Sequence, residues 1–183
     1  MNRLYIANTM SLIREEVYKY YYDRVTKERQ SKADRLQKHT DKALSVGASA
    51  LLRFAISDCT DFDYDSLNFK TADNGKPYIE GHPFYFNISH SNEYAVCVIS
   101  DTPVGVDIEL DRPLQPKMQE RFAKDVLEWT KKEAKGKLTG NGVFDKTEGD
   151  YIFSTFEFDG YIITVCSDKK ADGPFVYHFP FPC

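Results

Sequence analysis

VGVDIEL, residues 104–110, alternates apolar residues with small or acidic ones. Successive side chains of a β-strand point to opposite faces, so this pattern predicts a strand with one apolar face. Asp107 and Glu109 would share the other face, with Cα atoms roughly 6.5–7 Å apart. Two such carboxylates can bind one divalent cation, although a D-x-E strand is common by chance. The alternative is that both acids merely face water at a sheet edge.

Composition indicates a globular protein with no general affinity for nucleic acid or membrane. The 183 residues are 42% hydrophobic and 28% charged, with a net charge of -4. No stretch approaches the roughly 18 apolar residues of a membrane span, and the N-terminus does not resemble a secretory signal. Four scattered cysteines lack the C-x-x-C spacing of zinc or redox centres. We therefore expect a cytoplasmic protein with free thiols.

Hydrophobic periodicity predicts a chain of both strands and helices, and a weak repeat fits two similar lobes that meet near residue 103. Two segments, EYAVCVIS (93–100) and GYIITVCS (160–167), share a tyrosine, an apolar run, a cysteine and a final serine. This weak repeat predicts an N-terminal lobe of residues 1–102 and a C-terminal lobe of residues 103–183. The dipeptide Asp159-Gly160 predicts a hairpin, and the aromatic tail from residue 173 is expected to pack in extended form. Strands are predicted at 3–7, 84–91, 93–100, 104–110, 151–158 and 161–167, and helices within 11–57 and 117–138.

Residues 19–53 carry an excess of positive charge. Nine Lys or Arg residues face four acids there, a local balance of +5. A solvated helix surface explains such a run, and so does a binding surface for a small polyanion.

The segment WTKKEAKGK, residues 129–137, places three chemically useful side chains on one helical stripe. Trp129, Glu133 and Lys137 follow at i, i+4 and i+8. Glu133 and Lys137 alone could form an ordinary surface ion pair. We expect Trp129 to draw the stripe toward the core, which would make Glu133 a partly buried acid, suited to act as a metal ligand or general base.

Two further motifs lie upstream of the acidic strand. NGKP (74–77) reads as a turn that presents Lys76 before Pro77, and FNISHS (86–91) places Ser89 and His90 where a strand is expected to turn. A plain turn and a structural histidine are the simpler interpretations. Hydroxyl and imidazole groups at a turn are also good phosphate donors.

Taken in order, NGKP, FNISHS, VGVDIE and W-x-x-K-E-A-x-x-K resemble the signature series of the 4'-phosphopantetheinyl transferases, Sfp-type branch. The basic segment 29–53 is also similar to the first helical region of that family. The resemblance covers residues 27–137. It implies an α+β fold of two lobes, each a small antiparallel sheet packed on a helix, with the active site at the lobe interface. It also implies transfer of phosphopantetheine from coenzyme A to a serine of an apo acyl or peptidyl carrier protein, by a monomer.

The resemblance assigns roles residue by residue. It implies that Mg2+ is held by Asp107, Glu109 and Glu133, with Glu133 also taking the serine proton directly or through a water. Lys137 would neutralise the diphosphate and act with Glu133 in catalysis. The remaining contacts to coenzyme A would come from Lys76, Pro77, Ser89, His90, Lys27, Lys32 and Lys42.

The sequence departs from the family pattern in two places. Twenty-three residues separate Glu109 from Glu133, fewer than the Sfp-type pattern has, so the segment 110–132 that flanks the carrier surface is short. The arginine of the family's basic helix has no counterpart, and DKALS (41–45) offers Lys42 instead. A coenzyme A-binding module without carrier docking, or a purely structural protein, are therefore the alternatives to an active transferase.

Overall fold

The computed structural model describes residues 1–180. None of the helices in that range is long and apolar enough to span a membrane. The helices are α1 (Glu15–Tyr22), α2 (Lys27–Asp34), α3 (His39–Cys59), α4 (Pro116–Arg121) and α5 (Val126–Thr139). The strands are β1 (Asn2–Asn8), β2 (Phe69–Thr71), β3 (Pro77–Ile79), β4 (Tyr85–Ser91), β5 (Tyr94–Ser100), β6 (Gly105–Leu110), β7 (Ile152–Phe158), β8 (Tyr161–Ser167) and β9 (Asp172–Tyr177).

Two sheets share one strand order, which confirms the prediction of two similar lobes. The first sheet runs β4-β5-β1-β9 and the second runs β6-β8-β7. In the first lobe β1 pairs antiparallel with β5, and β5 pairs antiparallel with β4. In the second lobe β6 pairs antiparallel with β8, and β8 pairs antiparallel with β7. The two segments of the weak repeat are the central strands β5 and β8. Both are buried along their whole length, which explains why both are apolar on both faces.

The core has two layers, one under α3 and one between the sheets. Tyr5 and Cys97 face α3, whose Leu51 and Ala55 are fully buried against them. The opposite faces of β1 and β5 pack on the apolar face of β6, where Val104, Val106 and Ile108 are buried and Leu110 is partly buried. The alternation in VGVDIEL thus decides which side of β6 joins the inter-sheet layer, and the two acids point to the other side.

Three segments differ from the sequence prediction. The helical region 11–57 consists of a 3-10 turn and three helices. The helix predicted at 117–138 is divided between α4 and α5, because Asp125 adopts an extended conformation and caps the second helix by accepting from the Glu128 N–H. The tail forms β9, which pairs in parallel with β1 in the first sheet. The chain therefore returns to the N-terminal lobe after Ser167, whereas the predicted division assigned all of 103–183 to the second lobe.

Candidate functional site

The edges of the two sheets meet where β4 runs beside β6. Asn87 on β4 accepts a hydrogen bond from the backbone N–H of Val106 at 2.9 Å through its side-chain oxygen. Two residues further, Ser89 Oγ donates to Asp107 Oδ1 at 2.9 Å. Hydrogen bonds of polar side chains on β4 therefore join the two sheets at this edge. This contact brings the FNISHS motif of one lobe against the acidic strand of the other.

Helix α5 crosses β6 at unusually short range, which is possible because residue 105 is a glycine. A Cβ on Gly105 would lie 2.0 Å from the carbonyl oxygen of Ala134 and 2.6 Å from the backbone nitrogen of Leu138. The helix face toward β6 carries small or short side chains at four-residue spacing, with Val126, Thr130 and Ala134 all buried. The close crossing places the next turn of α5 directly beside the acidic face of the strand.

Asp107, Ser89 and Lys137 form a compact network in this crossing. Lys137 Nζ donates to Asp107 Oδ1 at 2.6 Å and to Ser89 Oγ at 2.8 Å. The Asp107 side chain is 6% exposed, and its other oxygen, Oδ2, is buried without a hydrogen-bond partner. Since buried carboxylate oxygens are normally satisfied, an unpartnered one marks a position where a cation or donor would be stabilising.

Two half-buried carboxylates flank this network. Burial and the neighbouring Asp107 charge raise the pKa of Glu109, opposed by a hydrogen bond from Ser91 Oγ at 3.1 Å and by the Lys137 charge. Burial and Asp107 likewise raise the pKa of Glu133, again opposed by Lys137. The three acids thus act on one another electrostatically. Within residues 1–180, however, no three His, Cys, Asp or Glu side chains are already grouped closely enough to hold a metal ion.

Trp129 does not anchor the helix in the core. Its ring is partly buried and packs edge-on against Phe122, with centroids 5.8 Å apart. The core-facing stripe is the one that contains Thr130 and Ala134, one residue further round the helix. The expectation that Trp129 draws its stripe into the core is therefore wrong, although Glu133 is half-buried for another reason: it faces a cleft.

The cleft has two connected parts that share Gly75, Pro77 and Ile88. One part, of about 330 Å³, is lined by Glu133 and Lys137. The other part, of about 200 Å³, lies between α2, the β2–β3 hairpin and β4. Pro77 of the NGKP turn thus contributes to the wall of both parts, as the sequence motif suggested for a binding segment.

Arginine and lysine from α2 line the second part of the cleft. Arg29 and Lys32 both border it, and burial lowers the pKa of Arg29. Arg29 was not among the residues singled out by motif, since only its register on α2 distinguishes it from its basic neighbours. Lys27 instead bonds Gln30 Oε1 at 3.0 Å, and neither Lys27 nor Lys42 borders this cleft.

His90 lies on β4 between the two groups of cations. Its side chain reaches solvent, but the protein atoms around the ring still exclude part of its water, and this desolvation lowers its pKa. The charges of Lys137, Arg29 and Lys32 lower it further. The ring therefore titrates below the usual histidine range. Cations of both α5 and α2 therefore lie close enough to act on this ring.

Lys76 reaches the site from the β2–β3 hairpin but points its ammonium at protein carbonyls. Nζ donates to the carbonyl oxygens of Lys137 at 2.6 Å, Leu138 at 3.2 Å and Val104 at 3.3 Å. Burial lowers the pKa of Lys76. A direct contact of this side chain with a ligand remains a prediction, and the structure commits its three donors to other partners.

Comparisons with known proteins agree with the motif series. Residues 13–102 match the family model of the 4'-phosphopantetheinyl transferase N-terminal domain. The chain is 32% identical over 138 residues to 4'-phosphopantetheinyl transferase psf-1 of Bacillus pumilus, covering 65% of this chain and 59% of that protein. It is 31% identical over 99 residues to 4'-phosphopantetheinyl transferase Sfp of Bacillus subtilis, covering 54% and 44%.

A similar protein of Aneurinibacillus migulanus, 4'-phosphopantetheinyl transferase gsp, is 32% identical over 110 residues, covering 60% of this chain and 46% of that protein. The chain thus spans about half the length of the curated relatives it matches. The family model covers residues 13–102, which include the basic helices of the N-terminal lobe. On the motif series, the two-lobed fold and these matches, the chain is similar to the 4'-phosphopantetheinyl transferases of the Sfp-type branch.

Proposed function

We propose that this protein transfers 4'-phosphopantetheine from coenzyme A to a serine hydroxyl of an apo acyl or peptidyl carrier protein, with Mg2+ as cofactor. The observation that carries the proposal is the meeting of Ser89, Asp107 and Lys137 at the end of a cationic cleft, beside Glu109 and Glu133. The similar proteins of Bacillus pumilus, Aneurinibacillus migulanus and Bacillus subtilis are named 4'-phosphopantetheinyl transferases, which supports the proposal.

The cleft suits a ligand with several phosphates. Coenzyme A carries a diphosphate and a 3'-phosphate, and the cations of this cleft are spread over its length. Lys137 and Ser89 are the donors nearest the carboxylates, so we assign them to the diphosphate. Arg29 and Lys32 border the other end, and His90 lies close enough for their charges to lower its pKa, so all three are assigned to the remaining phosphate contacts. Pro77 and the turn before it form the wall between the two ends.

The carboxylates fit a magnesium site. All three offer only oxygen ligands, which hard cations prefer, and Asp107 Oδ2 is a buried oxygen with no protein partner. Asp107, Glu109 and Glu133 would hold the ion. When bound, Mg2+ neutralises charge on the diphosphate and thereby lowers the barrier to attack on phosphorus. Mn2+ accepts the same ligands, so the two ions have to be compared by assay.

The chain's own residues supply positioning and proton transfer. The serine Oγ of the carrier forms a bond to the β-phosphorus while the bond from that phosphorus to the bridging oxygen breaks, and 3',5'-ADP leaves with the electron pair. Phosphoryl transfer of this kind depends on alignment and charge stabilisation more than on covalent help from the protein. Glu133, whose raised pKa makes it a better base than an exposed carboxylate, takes the serine proton directly or through a water.

Carrier docking is assigned to the surface around α4 and the start of α5. This surface combines basic residues with exposed apolar ones, including Leu127 at 36% exposure and Phe144 at 73% exposure. Large apolar side chains at the surface are often used for protein contacts. The proposal places the protein in the cytoplasm, where coenzyme A and carrier proteins are found, and treats one chain as a complete catalytic unit.

The deciding experiment is a transfer assay. Purified protein is mixed with coenzyme A, Mg2+ and each of several apo carriers, and intact mass spectrometry follows addition of the phosphopantetheine arm to the carrier serine. Asp107→Asn is the inactive control, and Mg2+ is replaced by EDTA in a parallel reaction. A folded wild-type protein that modifies none of the carriers would refute the transfer reaction.

A thermal-shift titration separates the two alternatives. A coenzyme A-binding module that does not dock carriers is stabilised by coenzyme A with Mg2+ and shows no turnover. At a ligand concentration 100 times Kd the stabilisation is about 2.7 kcal/mol. The melting temperature of a purely structural protein does not change with coenzyme A, with or without Mg2+. Wild type and Asp107→Asn then show the same absence of response to the ligand.

A further inference from the structure

The β2–β3 hairpin is a small element that would not be stable alone. Each strand has three residues, and the hairpin pairs with neither of the larger sheets. Its turn residues Gly75 and Pro77 nevertheless form part of the wall of both halves of the cleft. The position of this wall relative to α5 therefore depends on whatever fastens the turn to the C-terminal lobe.

Two side chains of the turn make that connection. Lys76 Nζ donates to three carbonyl oxygens of the C-terminal lobe, those of Val104, Lys137 and Leu138. Asn74 Nδ2 donates to the carbonyl of Gly140 at 3.2 Å. All but Val104 belong to the last turn and cap of α5, where carbonyl groups lack partners within the helix and the helix dipole attracts positive charge.

We propose that Lys76 is a positioning residue that clamps the turn of the β2–β3 hairpin onto the C-terminal end of α5, and so sets the width of the cleft. It acts through Lys137, since the residue whose carbonyl it binds is the same residue whose ammonium binds Asp107. The consequence for coenzyme A rests on the proposed function. The clamp itself does not, because it is a contact of the protein with itself.

The chemistry of the contact favours this role over a direct ligand contact. An ammonium has three donors, and in Lys76 each is directed at a different carbonyl oxygen. Burying a charge is costly unless it is well bonded, and burial lowers the pKa of this group. Releasing the ammonium toward a phosphate would leave the end of α5 without these bonds.

Hydrogen exchange of the ligand-free protein tests the clamp directly. In Lys76→Met, which keeps the length of the side chain but removes its donors, amides of residues 104–106 and 136–142 should exchange about tenfold faster than in wild type. Lys76→Arg, which keeps the charge and several donors, should recover most of the protection. Lys170→Met serves as the control, because Lys170 is exposed and lies on the far segment between β8 and β9.

The matching kinetic experiment uses the transfer assay. Lys76→Met should raise KM for coenzyme A about tenfold and leave KM for the carrier within twofold, because the clamp shapes only the nucleotide side of the cleft. If Lys76→Met does not fold, Asn74→Ala is used, with a smaller increase in exchange over the same segments.

The outcomes separate the two proposals. If amide exchange in residues 104–106 and 136–142 is unchanged in Lys76→Met, the clamp is refuted. The same holds for Asn74→Ala where that is the variant that folds. A lower affinity for coenzyme A without faster exchange would indicate a direct contact of Lys76 with the ligand. Faster exchange in a protein whose wild type transfers nothing to any carrier supports the clamp and refutes the transferase.

Discussion

Replacing Gly105 by alanine tests the idea that a close crossing of β6 and α5 builds the site. The new Cβ would lie 2.0 Å from the Ala134 carbonyl oxygen. Non-bonded contacts of a Cβ atom with atoms of distant residues are essentially never shorter than 3.0 Å. The obstacle is helix backbone, which cannot rotate away as a side chain can. Helix α5 must therefore retreat by roughly 1 Å or more, as expected for an overpacked core.

That displacement has two measurable consequences. Overpacking of this kind costs about 1–3 kcal/mol, which urea unfolding will detect as a lower midpoint. It also moves Lys137 and Glu133 away from Asp107, although all three residues are still present. A misplacement of about 1 Å can reduce turnover about 100-fold, so we expect Gly105→Ala to lose transfer activity to that extent.

Gly47→Ala is the matched control. A Cβ there would lie 2.6 Å from Cγ2 of Thr9, so this variant also adds a close contact, but with a side chain and not with backbone; alanine is also the better helix former by about 1 kcal/mol. This variant lies on α3, so its stability change should be smaller and its turnover close to wild type. If Gly105→Ala unfolds at the wild-type urea concentration and keeps full activity, the close crossing does not determine the geometry of the site.

Three further predictions concern the charges and the lobe contact. Lys137→Met leaves the Asp107 charge buried without its cationic partner, so the free energy of unfolding should fall by about 2 kcal/mol at pH 7. Urea unfolding measures this change, and the control is Lys131→Met, which removes an equal charge from the same helix. The raised pKa of Glu133 means that its ionisation costs stability above the unfolded value of 4.5, a cost absent below it, so Glu133→Gln should stabilise the protein at pH 7 and have no effect near pH 3.5; equal effects at both pH values would contradict the assignment. Tyr94→Phe removes a 2.6 Å hydrogen bond from the β4–β5 hairpin to Asp159 on the β7–β8 hairpin, and should cost about 1 kcal/mol in thermal unfolding, whereas a neutral result would show that the bond is not formed in solution.

The stability cost at Glu133 and Glu109 is consistent with a site arranged for ligand binding. Burial and the Asp107 charge raise the pKa of both Glu109 and Glu133, so ionisation of these two acids weakens the folded protein. Lys137 compensates for only part of this. Such strain is typical of functional sites, and a cation or a polyphosphate with its cation would relieve it.

Local pattern was sufficient for much of the fold and for the acidic strand. Alternation in VGVDIEL is a property of seven consecutive residues, and it correctly separated a buried apolar face from the face of Asp107 and Glu109. The similarity of EYAVCVIS and GYIITVCS likewise anticipated the two central strands, because a strand buried on both faces requires apolar residues throughout. The order of four short motifs indicated the same group of proteins that the comparisons found to be similar.

Contacts between distant segments were decided only by the tertiary structure. The tail from residue 173 has no pattern that names its partner, and it pairs with β1 because that edge of the first sheet is open. The bonds of Lys76 to three carbonyls, and the position of Arg29 in the cleft, depend on which elements pack together. Periodicity in the sequence indicates which face of an element is buried, so it could predict the shared face of the two acids. It carries no information on the distance at which elements cross or on the direction of backbone carbonyls. For that reason the clamp beside the acids could not be predicted.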